Sequence, residues 1–413
     1  MFAPLEINMD KGTLKELCSS GEDSRLRFMR STASDQEIAD EMIAFANCSG
    51  GTMLFGIDPE TGFAKGLPDG KLRQIGSRLG KIGEELANPV IPVETEVADV
   101  DGRHVLACYI GEGRDKPYKT LWGGIFVKNG AGKRRLEGNF EILEFFQESG
   151  KYRPESDPEP GSSVSDLDMP CIREFFRSAC GGDVEDFNRP LEEMLASFGV
   201  LTEQGEATRA VMLFFGKDPQ RFEHSAVLKA VAFQGNDLGG TRYLDSRDIE
   251  GTIPMMLDGG MAFLRCNLRR AQSAHGPGGG DLEIPEATLK ELLVNALIHF
   301  DLANHAAIRL LVFNDRVEIV NPGALHGGLK AEELELGISR CRNPVMASLA
   351  ARMGFCRGLG LGIVSILREG AQVRFDNQAS AGQFKATVFR NAGMGKAVPR
   401  EVVRGSRGAW PAA

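Results

Sequence analysis

Apolar positions recur with two periods along this chain, and the changes of period mark its elements. Ile38, Met42, Ile43, Phe45 and Ala46 fall at helical spacing over Asp35 to Asn47, and Gly50 and Gly51 end that helix. Arg25 to Arg30 and the apolar run Thr52 to Ile57 read as strands on either side of it. A second helix is expected over Lys71 to Leu86. Strands follow at Val93 to Val100 and Arg103 to Ile110, joined by Asp101-Gly102, a type I′ hairpin signal. Gly124 to Lys128 is a further strand. Beyond residue 165 the pattern predicts short helices at Cys171 to Ala179 and Pro190 to Phe198, and a turn and strand between Gly199 and Gly216. A strand at Ala226 to Phe233 and a long helix from Thr252 to Ala274 come next. Leu289, Leu292, Leu293, Ala296 and Phe300 then mark a helix. Two strands, Ile308 to Phe313 and Arg316 to Val320, turn at Asn314-Asp315, and an apolar stretch runs from Ile363 to Leu367.

Composition divides this string of elements. Arg153 to Ser165 is rich in Pro, Glu, Ser and Gly and reads as a linker, and the tail from Gly393 sets Lys396, Arg400, Arg404 and Arg407 among glycines. With 413 residues there is room for two or three domains. The expected class is α+β multidomain: a domain at 1–150, a linker at 151–165, a bridging α/β segment at 166–280, a second domain at 281–392 and a basic tail at 393–413. A net charge of -9 gives no whole-chain basic signature, so a nucleic-acid surface would have to be a local patch. The eight cysteines form no C-x-x-C pair, which argues against a zinc ribbon and suits reduced thiols in a cytoplasm. No apolar stretch approaches a membrane span, so a cytoplasmic protein is expected.

One helix carries a second pattern. Glu291, Asn295 and His299 stand one turn apart beside its apolar face. Such a row is either a solvated stripe or a functional edge. Further on, Arg357-Gly358-Leu359-Gly360-Leu361-Gly362-Ile363 leads into the apolar segment, and glycines before a helix let backbone N–H groups close on an anion. Glu291 to His299 reads E-x-x-x-N-A-x-x-H. It is followed by Asp315 to Gly323 as D-R-x-E-I-x-N-P-G, by Arg342-Asn343-Pro344, and by Gly360 to Ile363 as G-x-G-I. In this order the motifs resemble a divergent branch of the GHKL superfamily of ATP-binding domains, whose fold is an α/β sandwich.

That resemblance implies ATP and Mg²⁺ as cofactors. Asn295 would give its amide oxygen to Mg²⁺, and Glu291 would orient or deprotonate the attacking water. Asn321, standing where most of the superfamily has an aspartate, would accept a hydrogen bond from the adenine amino group, and Gly323 would leave room for the base. Gly358, Gly360 and Gly362 would cover the phosphates, with His299, Arg342 and Asn343 completing the nucleotide site. The branch often has H-R-D-Y where this chain has His299-Phe300-Asp301-Leu302, and a glutamate where Arg357 stands. Both departures bear on turnover more than on binding. No G-K-[ST] phosphate loop occurs, which excludes a Walker ATPase.

The run Ala44 to Asp58, A-F-A-N-C-S-G-G-T-M-L-F-G-I-D, resembles the signature of Schlafen AlbA-like domains over residues 22 to 137. Resemblance implies nucleic-acid binding and, in the animal relatives, RNA cleavage by three carboxylates. Here those positions are Glu22, Arg27 and Asp58. A guanidinium among metal-binding acids repels the ion they would gather, so the cleavage centre is read as degraded. Lys116, Lys119, Lys128, Lys133, Arg134 and Arg135 form a basic segment that either contacts phosphates or is a charged surface hairpin. Trp122 and Phe126 are expected in the core.

Together the resemblances imply an ATP-binding, nucleic-acid-binding regulator of the kind found among bacterial transcriptional regulators, with DNA or RNA and adenine nucleotide as partners and a homodimer compatible with the fold. The alternatives are a slow ATPase driving dimer closure and a Schlafen-like nuclease effector with a degraded site.

Overall fold

The structure is a computed structural model that describes residues 21–180, 193, 195, 201–202, 205–239, 243–270, 281–356 and 360–390. The expected helix at Pro190 to Phe198, the glycines Gly276 to Gly280, Arg357, Gly358 and the basic tail lie largely or wholly outside the described residues. The chain divides into two compact units, Met1–Arg153 and Pro154–Ala413.

The first unit begins β1 (Leu26–Met29), α1 (Asp35–Asn47), β2 (Gly51–Phe55), α2 (Asp69–Glu85) and β3 (Ala87–Asn88). It continues β4 (Glu94–Val100), β5 (Arg103–Ile110), β6 (Lys119–Thr120), β7 (Phe126–Asn129), β8 (Gly132–Arg135) and α3 (Asn139–Glu148). The main sheet has the order β1-β2-β5-β4, with β1 and β2 parallel across α1 and the other neighbours antiparallel. Ser34 starts α1 by accepting the Glu37 N–H on its hydroxyl, and Asp35 and Glu37 favour that end of the helix dipole. Strand alternation then splits the core. Met53 and Phe55 join Ile38, Met42, Phe45, Ile75 and Leu79 under the helices, while Leu54, Val105 and Ala107 meet Leu26 and Phe28 on the opposite face. Asp101 and Gly102 both have positive φ, at 50° and 80°, as the expected two-residue hairpin requires. Trp122 departs from expectation, being 48% exposed beside exposed Leu121.

In the second unit the helices within the described residues include α4 (Met169–Cys180), α5 (Arg209–Phe215), α6 (Ile253–Asn267), α7 (Glu286–His299), α8 (Ala331–Glu335), α9 (Pro344–Arg352) and α10 (Gly362–Arg368). The strands are β9 (Leu228–Phe233), β10 (Tyr243–Ile249), β11 (Ile308–Val312), β12 (Arg316–Pro322), β13 (Val373–Gln378) and β14 (Gln383–Phe389). They form one mixed sheet in the order β10-β9-β11-β12-β14-β13, where only the β9–β11 neighbours run parallel. One apolar core from Leu167 to Val388 lies between the helices and this sheet, so the bridging segment and the ATPase-like segment share a sheet and a core.

Two expectations change here. The apolar run at 210–215, read as a strand, is the helix α5, and all six of its residues from Ala210 to Phe215 are buried. An element buried on every side shows no period by which to tell helix from strand. The proline-rich stretch read as a linker is, from Pro154 onward, part of the second unit. Glu155 is fully buried, Pro158 bridges Thr208, and the Ser162 hydroxyl accepts the Ala207 N–H at 3.0 Å.

Candidate functional site

Helix α7 is buried at every position from Leu292 to Ile298 except Asn295, so Glu291, Asn295 and His299 form a mostly buried, partly exposed row. That row is one wall of a cleft of about 1240 Å³. β12 contributes Asn321, the turn after it Gly323 and His326, the segment before α9 Arg340, Cys341 and Arg342, and the start of α10 Gly360 and Gly362. Of the expected nucleotide-site residues described, all but Asn343 line this space.

The geometry gives each group a task. Asn295 Nδ2 donates to the backbone oxygen of Glu291 at 2.7 Å and to its Oε1 at 2.8 Å. The amide is thereby oriented with its nitrogen held by protein, which leaves its oxygen as the group available to a hard cation. The Glu291 carboxylate packs against the Cα of Gly362, where an added Cβ would fall 1.7 Å from Oε1. Only glycine permits this approach. Asn321 is 7% exposed, and its Oδ1 is buried without a partner. An unpaired buried acceptor costs free energy, so an orphan facing a cleft is a feature to be explained by a ligand.

Behind these groups lies a second layer that spacing did not reveal. Arg342 Nη1 stands 3.3 Å from Asp301 Oδ2, both side chains 4% exposed, and its Nη2 donates to the Ala324 oxygen at 2.6 Å. This guanidinium supplies a cation next to the position where Phe300, itself buried, departs from the expected arginine. Gly323, with φ of 91°, is required by that pair, because a Cβ there would meet Asp301 Cβ at 2.6 Å. The room it leaves is therefore filled by the Asp301–Arg342 pair. His299 and His326 are each held neutral, pushed down to about 4 first by burial and then by the Arg342 charge. Asn343 is fully buried, and its Nδ2 donates at 2.8 Å to the oxygens of both Ile298 and Phe300. Its place is behind the cleft, fastening the end of α7 to the start of α9.

In the first unit most of the residues singled out by sequence are paired within the protein. Arg27 Nη1 donates to Glu22 Oε2 at 2.8 Å, while Glu22 Oε1 accepts the Phe28 N–H at 2.7 Å. Asp58 pairs with Lys65 rather than Arg27, and that hydrogen bond, with backbone N–H donors, holds its carboxyl down at about 2. Lys128 is withdrawn from the surface: with Glu41 it forms a buried pair at 2.6 Å, each side chain 2% exposed, and its ammonium lies 4.6 Å from the Phe45 ring centroid. Lys133 approaches the same Glu41, Lys116 pairs with Glu112 and Arg134 with Glu141. Lys119 and Arg135 remain exposed. The asparagine of the A-F-A-N run has a structural task as well. Asn47 donates to the oxygens of Tyr118 and Phe126 and accepts the Tyr118 N–H, which clamps the strand pairs after residue 118 onto α1. Among the described residues no group of three or more His, Cys, Asp or Glu side chains could hold a metal ion by itself. No helix among them is long and apolar enough to cross a membrane.

Residues 22–137 match the family model described as "Schlafen, AlbA_2", and residues 305–387 match the one described as "Putative ATP-dependent DNA helicase recG C-terminal". A solved structure of the DIP2311 protein from Corynebacterium diphtheriae is 17% identical, with 91% of this chain and 79% of that one covered and a TM-score of 0.44. The N-terminal domain of a "Putative ATP-dependent DNA Helicase RecG-related Protein" from Nitrosomonas europaea is 23% identical, with 32% of this chain and 95% of that one covered and a TM-score of 0.23. Comparison with curated proteins gave no match.

Proposed function

We propose that this chain, which joins a Schlafen AlbA_2 domain to an ATPase-like C-terminal domain, is an ATP-binding regulator of nucleic-acid binding. The observation that carries the reading is the convergence on one cleft of Asn295, oriented by Glu291, and of the buried, unpaired Asn321 Oδ1. Their donor chemistry fits Mg²⁺ and an adenine nucleotide. Asn295 would hold the metal through its amide oxygen, with phosphate and water oxygens as the other ligands, since hard cations take oxygen donors and nucleotide sites use few from protein. Bound there, Mg²⁺ would neutralise phosphate charge. Gly360 and Gly362 line the phosphate end, Asn321 would accept from the 6-amino group of the base, and Arg342 adds positive potential beside it. Glu291 stands where a carboxylate could hold a water, which favours slow hydrolysis as the second reading.

On the first unit, we assign exposed Lys119 and Arg135 to a nucleic-acid backbone and half-exposed Trp122 to stacking on a base. Cleavage is not expected, because Glu22 is engaged by Arg27 and Asp58 by Lys65. Nucleotide occupancy is assigned a modest effect on nucleic-acid affinity, about 1 to 2 kcal/mol and necessarily reciprocal. The test is calorimetry with Mg²⁺ and a non-hydrolysable ATP analogue. Asn295→Ala should weaken binding about tenfold, or ~1.4 kcal/mol for a lost liganding contact. An affinity unchanged by that substitution would refute the assignment.

A further inference from the structure

Among the described residues, two polar groups in the cleft have buried atoms with no partner: Oδ1 of Asn321 and Nδ1 of His326. They flank the turn at Gly323, with Arg342 packed against that turn. What they share is that neither is committed as donor or acceptor. A carboxamide offers an oxygen or, after half a rotation, an NH₂. A neutral imidazole offers a lone pair or an N–H according to its tautomer. In both cases a protein hydrogen bond would ordinarily fix the choice, and here none does. Burial and the neighbouring Arg342 and Arg340 charges keep the His326 ring neutral through the physiological range, so its tautomeric freedom persists there.

We infer that this cleft takes 6-oxopurine nucleotides as well as 6-aminopurine nucleotides, with Asn321 and His326 as the two groups that read the base. The inference rests on the nucleotide-site reading above and deepens it. A carboxylate at position 321 could only accept. It would pair with a 6-amino group and repel a 6-oxo group, and a buried repulsion of that kind supports discrimination of several powers of ten. Asn321 instead meets an amino group with Oδ1 and an oxo group with Nδ2, and the imidazole of His326 can change tautomer to match the adjoining ring nitrogen, which is protonated in a 6-oxopurine and bare in a 6-aminopurine. Discrimination at the 6-position is thereby lost without loss of affinity. The cleft responds to purine triphosphate as a class.

The experiment is calorimetric titration of the full chain with Mg²⁺ and the β,γ-imido analogues of ATP and ITP, which differ only at the 6-position and N1. The wild-type protein should bind the two within about threefold of each other. Asn321→Asp should keep the ATP analogue and weaken the ITP analogue at least tenfold. His326→Leu should weaken both to a similar degree, leaving their ratio unmoved. A wild-type protein that binds the ATP analogue and rejects the ITP analogue tenfold or more overturns the inference while sparing the nucleotide site. The wild-type ratio decides this without any variant. Binding of neither analogue overturns the nucleotide-site reading and this inference with it.

Discussion

Removing one carboxylate, Glu155, should destabilise the second unit far more than its place in a proline-rich stretch suggests. The side chain is fully buried, and its two oxygens accept the N–H groups of Val345 at 2.9 Å and Met346 at 2.8 Å, 190 and 191 residues further on. Those donors belong to the first turn of α9, whose opening N–H groups have no partner within the helix. Hydrogen bonds to a charged acceptor contribute ~1.5 to 3 kcal/mol each, and the helix dipole adds to this. Against that stands the cost of keeping a carboxylate out of water, which Glu155→Ala relieves. The expected net loss is about 3 kcal/mol for Glu155→Ala and roughly half of that for Glu155→Gln, which keeps one acceptor. Because α9 begins where Arg340, Cys341 and Arg342 line the cleft, nucleotide affinity should fall with it. Urea unfolding followed separately for residues of each unit would measure the loss, with exposed Glu335→Ala as a control that should stay within about 0.5 kcal/mol. A Glu155→Ala protein that unfolds at the control's midpoint would show that this carboxylate contributes no net stability to the second unit.

Two further outcomes follow from the same geometry. Since His299 and His326 refuse a proton until about pH 4 in the folded protein while an unfolded histidine accepts one near 6.5, the unfolded state binds more protons between those values. Stability of the second unit should therefore fall as pH drops from about 6.5 to 4, by at most ~1.4 kcal/mol per pH unit for each ring, and His326→Leu should flatten the decline; an unchanged slope by pH-dependent denaturation would count against it. In the first unit, neutralising Lys119 and Arg135 together should reduce the salt slope of nucleic-acid affinity by about two at most, whereas Lys128→Ala should act mainly through stability, costing less than the ~3 to 5 kcal/mol of an uncompensated buried charge because Glu41 keeps its contact with Lys133 at 3.4 Å. Filter binding across a salt series separates the two, and a slope indifferent to Lys119 and Arg135 would move the interface elsewhere.

Local pattern determined the elements wherever one face is apolar and the other polar. The partly exposed row on α7 was legible for that reason, the helix over Asp35–Asn47 because polar residues space its apolar positions although Ile38 to Asn47 are all buried, and the hairpin at Asp101-Gly102 from its turn residues. The pattern was silent at α5, where every residue from Ala210 to Phe215 is buried and no period survives. The candidate site divides along the same line. Glu291, Asn295 and His299 are placed by helix geometry alone, so their alignment could be read from the chain. Whether a charged side chain is exposed or paired depends on what the fold carries to it. Lys128 is spent on Glu41, 87 positions earlier, Asp58 on Lys65 and not Arg27, and Arg342 on Asp301. Composition marked 153–165 as a linker, yet Glu155 closes the first turn of a helix that begins 189 residues later. Sequence determines which groups a segment offers and which way they face. Only tertiary structure decides which are satisfied within the protein, because hydrogen bonds and ion pairs are settled by distance in space, and the unpaired Asn321 and His326 left at the cleft are the result of that settlement.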